Sequence, residues 1–184
     1  MAASYDVSTY LLDKENIRDT VIRMASCPGP LYLNWRMFAF DDRATSTLID
    51  HVYAPVITLS YDKLLLGDDF HQKKMPSEQW AKSLEHMHDK FDTTEHIIQN
   101  LLVELPQPGS GVQRPKNVKA RAIAHGLFYK RDAEEGRPSI MALRNGGSYQ
   151  LELVRIAEKE NKGENPWRIS LLNVTLDWQD RPNL

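Results

Sequence analysis

Apolar positions in the first half of the chain recur at helical spacing, whereas those in the second half fall into strand-length runs. Ile17, Val21 and Met24 follow Asp13 at intervals near one turn, and aspartate is a favoured N-cap, so a helix is predicted there. The run Cys27-Pro28-Gly29-Pro30 must interrupt it, because proline removes a backbone donor and glycine loosens the chain. A second, aromatic-rich helix is expected from Leu31 to about Phe40, and a third from Thr45 to Tyr53, stopping before Pro55. The β-branched run Val56 to Tyr61 predicts a short strand. Pro76 and Ser77 then open a helix with Trp80, Leu84 and Met87 on one face.

Four longer strands are predicted beyond it: His96 to Leu105, Val118 to Tyr129, Tyr149 to Ile156 and Trp167 to Trp178. The polar segments PQPGSGVQRP, RDAEEGRP and EKENKGENP separate them and read as surface loops. Helices followed by strands point to an α+β fold and not to alternating βαβ units. A long sheet curling over a few helices would enclose a cone-shaped cavity.

The chain has 184 residues, a length that fits one domain able to bury a core without a disulfide or a metal staple. Its 23 basic and 25 acidic residues leave a net charge of −2, which removes the main sequence argument for nucleic-acid binding. The single cysteine, Cys27, offers neither an intrachain disulfide nor a Cys-rich zinc site. No apolar run approaches the roughly 18 to 20 residues that span a bilayer. The opening MAASYDVSTYLLDKEN lacks the basic and apolar regions of a secretion signal, so a soluble, cytoplasmic protein is expected.

No P-loop, dinucleotide fingerprint, HExxH or GxSxG motif is present, which turns attention to the histidines. His86 and His88 are two apart on a predicted helix, point away from one another and make a shared metal improbable. His51 and His71 sit among charged neighbours and read as surface. His125 lies in a strand between Ala124 and Gly126, equally a pocket residue or an ordinary strand histidine. His96 opens the apolar strand His-Ile-Ile-Gln-Asn-Leu-Leu-Val, where alternation puts His96, Ile98 and Asn100 on one face. A half-buried histidine there suits proton transfer near neutrality; the plainer reading is a core histidine satisfied by one backbone carbonyl. Of Asp41 and Asp42, one can cap the next helix and the other is left to face solvent or a cavity. Trp35, Trp80, Trp167 and Trp178 read as core.

These residues and the order of elements resemble the SnoaL-like branch of the NTF2-like superfamily, most closely its scytalone dehydratase-like group. The resemblance runs from about Glu15 to Gln179 and rests on ENIRDTVIRM, the acidic pair before a helix ending YAP, SYDK, TTEHIIQN, GGSYQLELVR and PWRISLLNVTLDW. It implies a single domain over residues 1–184, folded as an α+β barrel whose curved sheet wraps N-terminal helices around a pocket. It also implies catalysis by a His–Asp pair, His96 with Asp42, with Tyr61 holding a water on a substrate carbonyl. Ser148 and Gln150 fall on a pocket-lining pair, and Phe38, Ile98 and Phe128 complete the expected walls. The chain departs from the family pattern at Asp41, which replaces a second water-holding tyrosine, at Phe128, which replaces a second pocket histidine, and at Gln150, which replaces an asparagine.

The implied protein is a cofactor-independent dehydratase, isomerase or cyclase, with no metal, acting on a small apolar, carbonyl-bearing metabolite such as a polyketide or terpenoid intermediate. Self-association into a homo-oligomer is implied as well, with no nucleic-acid or membrane partner. Two other readings stand beside it. One is a non-catalytic module of the same fold binding a ligand or partner, since fold alone does not imply activity. The other is a structural subunit like the small subunit of a ring-hydroxylating dioxygenase, which would need a large partner.

Overall fold

Residues Asn117–Arg131 set the architecture by an alternation that runs through most of the strand: Val118, Ala120, Ala122 and Ala124 are buried, whereas Lys119, Arg121 and Ile123 are exposed. One face of the sheet therefore meets a core and the other faces outward. The computed structural model describes residues 5–25, 45–66, 72–87, 91–134 and 138–182. Its elements are α1 (Val7–Ala25), α2 (Thr45–Thr47) running into a π-helical turn (Leu48–Val52), β1 (Tyr53–Tyr61), α3 (Lys63–Leu66), β2 (Lys73–Pro76), α4 (Ser77–Met87), β3 (Thr93–Glu104), β4 (Asn117–Arg131), β5 (Pro138–Arg155), α5 (Ala157–Asn161) and β6 (Trp167–Asp180).

The six strands form one curved sheet in the order β2-β1-β6-β5-β4-β3, antiparallel except where β1 runs parallel to β6. The core lies on its inner face. Ile17, Val21 and Met24 of α1 and Trp80 and Leu84 of α4 join Ile57, Leu59, Leu151, Leu153, Ile169 and Leu172 of the strands in one cluster. The predicted helix Leu31–Phe40, with Trp35, lies outside the described residues.

Asp13 is not the cap that its position suggested. The helix begins six residues earlier, where Asp6 accepts the backbone N–H of Thr9 at 2.7 Å. Asp13 instead sits mid-helix with no exposed surface and is held by three partners. Arg114 donates to both carboxylate oxygens at 2.7 and 2.8 Å, the Trp167 indole N–H donates at 2.8 Å, and the Tyr5 hydroxyl donates at 3.2 Å. Arg114 also reaches Glu160 on α5, which takes a second arginine, Arg155, at 2.6 Å. This network fixes the loop between β3 and β4 against α1, with Tyr5 N–H bonded to Val112 and Gly109 N–H bonded to Tyr5.

Other expectations shift in detail. The third helix ends at Val52, so Tyr53, Ala54 and Pro55 belong to β1. The strand predicted from Tyr149 starts at Pro138, because Asn145-Gly146-Gly147 continues the ladder where that tripeptide would ordinarily signal a turn. EKENKGENP contains most of α5, and Trp178 is 43% exposed instead of core.

Candidate active site

Residues paired across antiparallel strands share a face, so the register identifies what lines the inside. His96 of β3 pairs with Gly126 of β4, which pairs with Asn145 of β5. On either side of that row run Thr94–Phe128–Leu143 and Ile98–Ala124–Gly147. His96, Ile98 and Phe128 therefore lie together on the inner face. The Phe128 ring stands edge-on to the His96 imidazole, at 5.6 Å between centroids and 87°, and Phe91 packs on Phe128 at 4.9 Å.

Gly126 explains how this corner closes. A Cβ there would come within 2.7 Å of the Asn145 carboxamide oxygen and 2.8 Å of the Phe128 ring. Those two side chains thus lean over the glycine directly beside His96. Asn145 is a polar group of the site that sequence reasoning missed, since Asn-Gly-Gly looks like a turn. The signal that could have found it is the length of the alternating pattern of β5 when counted back from Leu151 through Tyr149 and Gly147.

Two expected neighbours are placed elsewhere by the register. Ser148 pairs with Ile123 and Thr175, and Gln150 pairs with Arg121 and Asn173, all on the outer face. The expectation that they line the pocket is corrected: Tyr149, between them, takes the inward position opposite Ala122. His125 is also outward, with its ring 6.0 Å from Trp178. Asn100 leaves the His96 face as well. It has φ 51° and lies where the β3–β4 register slips, so Leu101 and Val103 turn back to the core. Phe38, Asp41 and Asp42 lie outside the described residues.

Farther along the inner face, Tyr61 of β1 pairs with Val174, which pairs with Tyr149. The Tyr61 ring packs on Trp80 at 5.4 Å. Burial pushes the Tyr61 phenol well above its ordinary ionisation range, with Tyr53 and Tyr149 adding to the effect. Tyr53 is raised too, chiefly by burial, while the nearby Trp80 N–H acts slightly in the opposite sense. These phenols are neutral donors at any physiological pH. The inner face thus combines an imidazole, a carboxamide and phenols with aromatic and aliphatic walls. That set can move a proton and donate hydrogen bonds to an oxygen. Among the described residues, no group of three or more His, Cys, Asp or Glu side chains could hold a metal ion.

The SnoaL-like domain model matches residues 31–173, and the chain belongs to that family. Solved structures with the same NTF2-like fold include the Kfla4162 protein of Kribbella flavida, with a TM-score of 0.68 and 16% identity over 93% of this chain and 95% of that one. A protein of Novosphingobium aromaticivorans classed as a scytalone dehydratase aligns with TM-score 0.64 and 12% identity, covering 97% and 93%. The hexachlorocyclohexane dehydrochlorinase LinA-type3 of Novosphingobium barchaimii aligns with TM-score 0.61 and 14% identity, covering 95% and 92%. No curated protein matches the chain in sequence. Among the described residues no helix is long and apolar enough to cross a membrane.

Proposed function

We propose that the chain, as one SnoaL-like domain, is a cofactor-independent acid–base enzyme working on a small apolar, carbonyl-bearing molecule such as a polyketide or terpenoid intermediate. The observation that carries this reading is His96, a base on the inner face beside Phe128, Ile98 and Asn145. An imidazole in such surroundings can take a proton from the carbon next to a carbonyl and return it to a leaving group or to another carbon. Asp42 is assigned as the partner that orients the imidazole, and Tyr61 as a donor to the substrate oxygen. Asn145 is added as a group that positions the substrate beside His96. The names of two structural relatives describe eliminations, one of water and one of HCl, and each elimination removes a proton along with its leaving group.

The outer face supports self-association, since Ile123 and Trp178 are each about two-fifths exposed there. A cytoplasmic location remains part of the reading. The test uses His96→Gln. Proton exchange at the α-carbon of a panel of cyclic β-hydroxy ketones, followed by NMR in deuterated water, is expected to fall at least a hundredfold in the variant. Exchange within a factor of two of wild type would refute the role of His96 and leave a binding module.

A further inference from the structure

The core-facing stripe of α1 contains Asp13, Ile17, Thr20 and Met24, spaced four, three and four residues apart and all buried. Two positions before each of them stand Leu11, Glu15, Arg18 and Ile22, rotated by about 200° and therefore on the opposite face. All four are exposed. Leu11 is 53% and Ile22 37% exposed, and Val7 and Leu12 beside the stripe reach 62% and 58%. Isolated apolar side chains on a surface need no explanation, but four of the nine large ones left exposed among the described residues fall on this one helix. The spacing of the outward stripe is also that of a helix-pairing seam, in which a second helix sets its side chains between those of the first.

The order of side chains along the stripe selects the partner. It reads apolar, acidic, basic, apolar. A second α1 laid antiparallel sets Leu11 against Ile22 of the second copy and Glu15 against its Arg18, and two-fold symmetry repeats both contacts. Laid parallel, the same helices would set Glu15 on Glu15 and Arg18 on Arg18. Within one chain the Glu15 carboxylate and Arg18 guanidinium are 3.8 Å apart and both more than three-fifths exposed, so each keeps capacity for a further partner. We propose that two copies of the chain pair through this stripe, α1 against α1 and antiparallel, with Leu11–Ile22 contacts at the ends and Glu15–Arg18 ion pairs between them. The stripe is roughly 16 Å long, so the interface is below standard size and the pairing is reversible. Because α1 covers the inner face of the sheet, this surface is separate from the outer face that carries Ile123 and Trp178. The inference is independent of the chemistry proposed for His96.

The test is sedimentation equilibrium of the full chain as wild type, Glu15→Arg, Arg18→Glu and an equimolar mixture of the two variants. Wild type is expected to self-associate as its concentration rises, and less so in high salt. Each reversal puts like charges face to face across the two-fold and should weaken association by about tenfold or more. Thermal melts should stay within a few degrees of wild type, since both side chains are exposed. Leu11→Lys changes neither charge of the seam, should weaken association as well, and gives the same reading if a reversal lowers the melt. The mixture discriminates most sharply: one variant presents two arginines and the other two glutamates, so they should associate with each other at least as tightly as wild type does with itself. The proposal is overturned if wild type stays monomeric up to millimolar concentration, if either reversal leaves the association constant within about a factor of two, or if the mixed variants stay apart. An oligomer indifferent to both reversals belongs to another surface, and its loss in Trp178→Lys would assign it to the outer sheet face.

Discussion

Replacing Arg114 by alanine should cost the protein about 3 kcal/mol, and the reason lies in what it leaves behind. The Asp13 side chain has no exposed surface and would keep only two neutral donors, the Trp167 indole and the Tyr5 hydroxyl. Breaking a buried ion pair by removing one partner costs roughly 3 to 5 kcal/mol, because the other charge stays buried and uncompensated. Arg114 itself is 22% exposed, so water can enter the space it vacates and the lower end of that range applies. For a chain of this size that corresponds to a fall in melting temperature of roughly 6 to 12 °C. The double variant Asp13→Asn with Arg114→Ala removes both charges and should recover half of the loss or more. Urea unfolding midpoints of wild type, both single variants and the double variant give the coupling directly. The reasoning fails if Arg114→Ala costs less than about 1 kcal/mol, or if the double variant is no more stable than that single one.

Glu160 gives a pH-dependent counterpart. Burial alone would raise its pKa, but hydrogen bonds and charge from Arg114 and Arg155 outweigh it and hold the carboxyl below its ordinary range. A depressed folded pKa contributes stability above the unfolded value, about 4.3, and that contribution is lost as pH falls through the folded value. Glu160→Gln should therefore destabilise the protein at pH 7, and its deficit relative to wild type should close as pH drops below 4; a deficit constant from pH 7 to pH 3 in chemical unfolding would contradict this. Adjacent glycines should respond oppositely to alanine. At Gly146 the added Cβ meets only the exposed Trp178 ring, which can swing away, whereas at Gly147 it lands 1.9 Å from the backbone oxygen of Thr175. Gly146→Ala should melt within a few degrees of wild type and Gly147→Ala should fail to accumulate as folded protein; equal behaviour in thermal melts would refute the placement of the bulge beside them.

Much of the fold was legible because its signals are local. Strand-length runs bounded by turn residues marked β3, β4 and β6, and Pro76-Ser77 marked the start of α4. His96 was singled out for the same reason: an imidazole in an apolar strand with Ile98 two positions on is visible without knowing any neighbour. Which face each strand residue takes was a different matter. A single extra residue at Asn100 reverses the inside and outside of everything after it in β3, and a slip beside Gly146 and Gly147 does the same between β5 and β6. Only pairing across strands decides that, which is why Tyr149 and Asn145 face inward and Ser148 and Gln150 do not.

Asp13 shows the same division more sharply. Its residue type and position in the chain say N-cap, a local role that helix propensity makes plausible. Its partners Arg114 and Trp167 stand 101 and 154 residues away, and nothing nearby in sequence announces them. By itself the sequence determined the main helices and strands and which side chains could carry chemistry, since those depend on short-range periodicity and side-chain type. The tertiary structure alone decided which of those side chains meet, because contact between distant residues depends on register, bulges and loop closure that no single segment encodes.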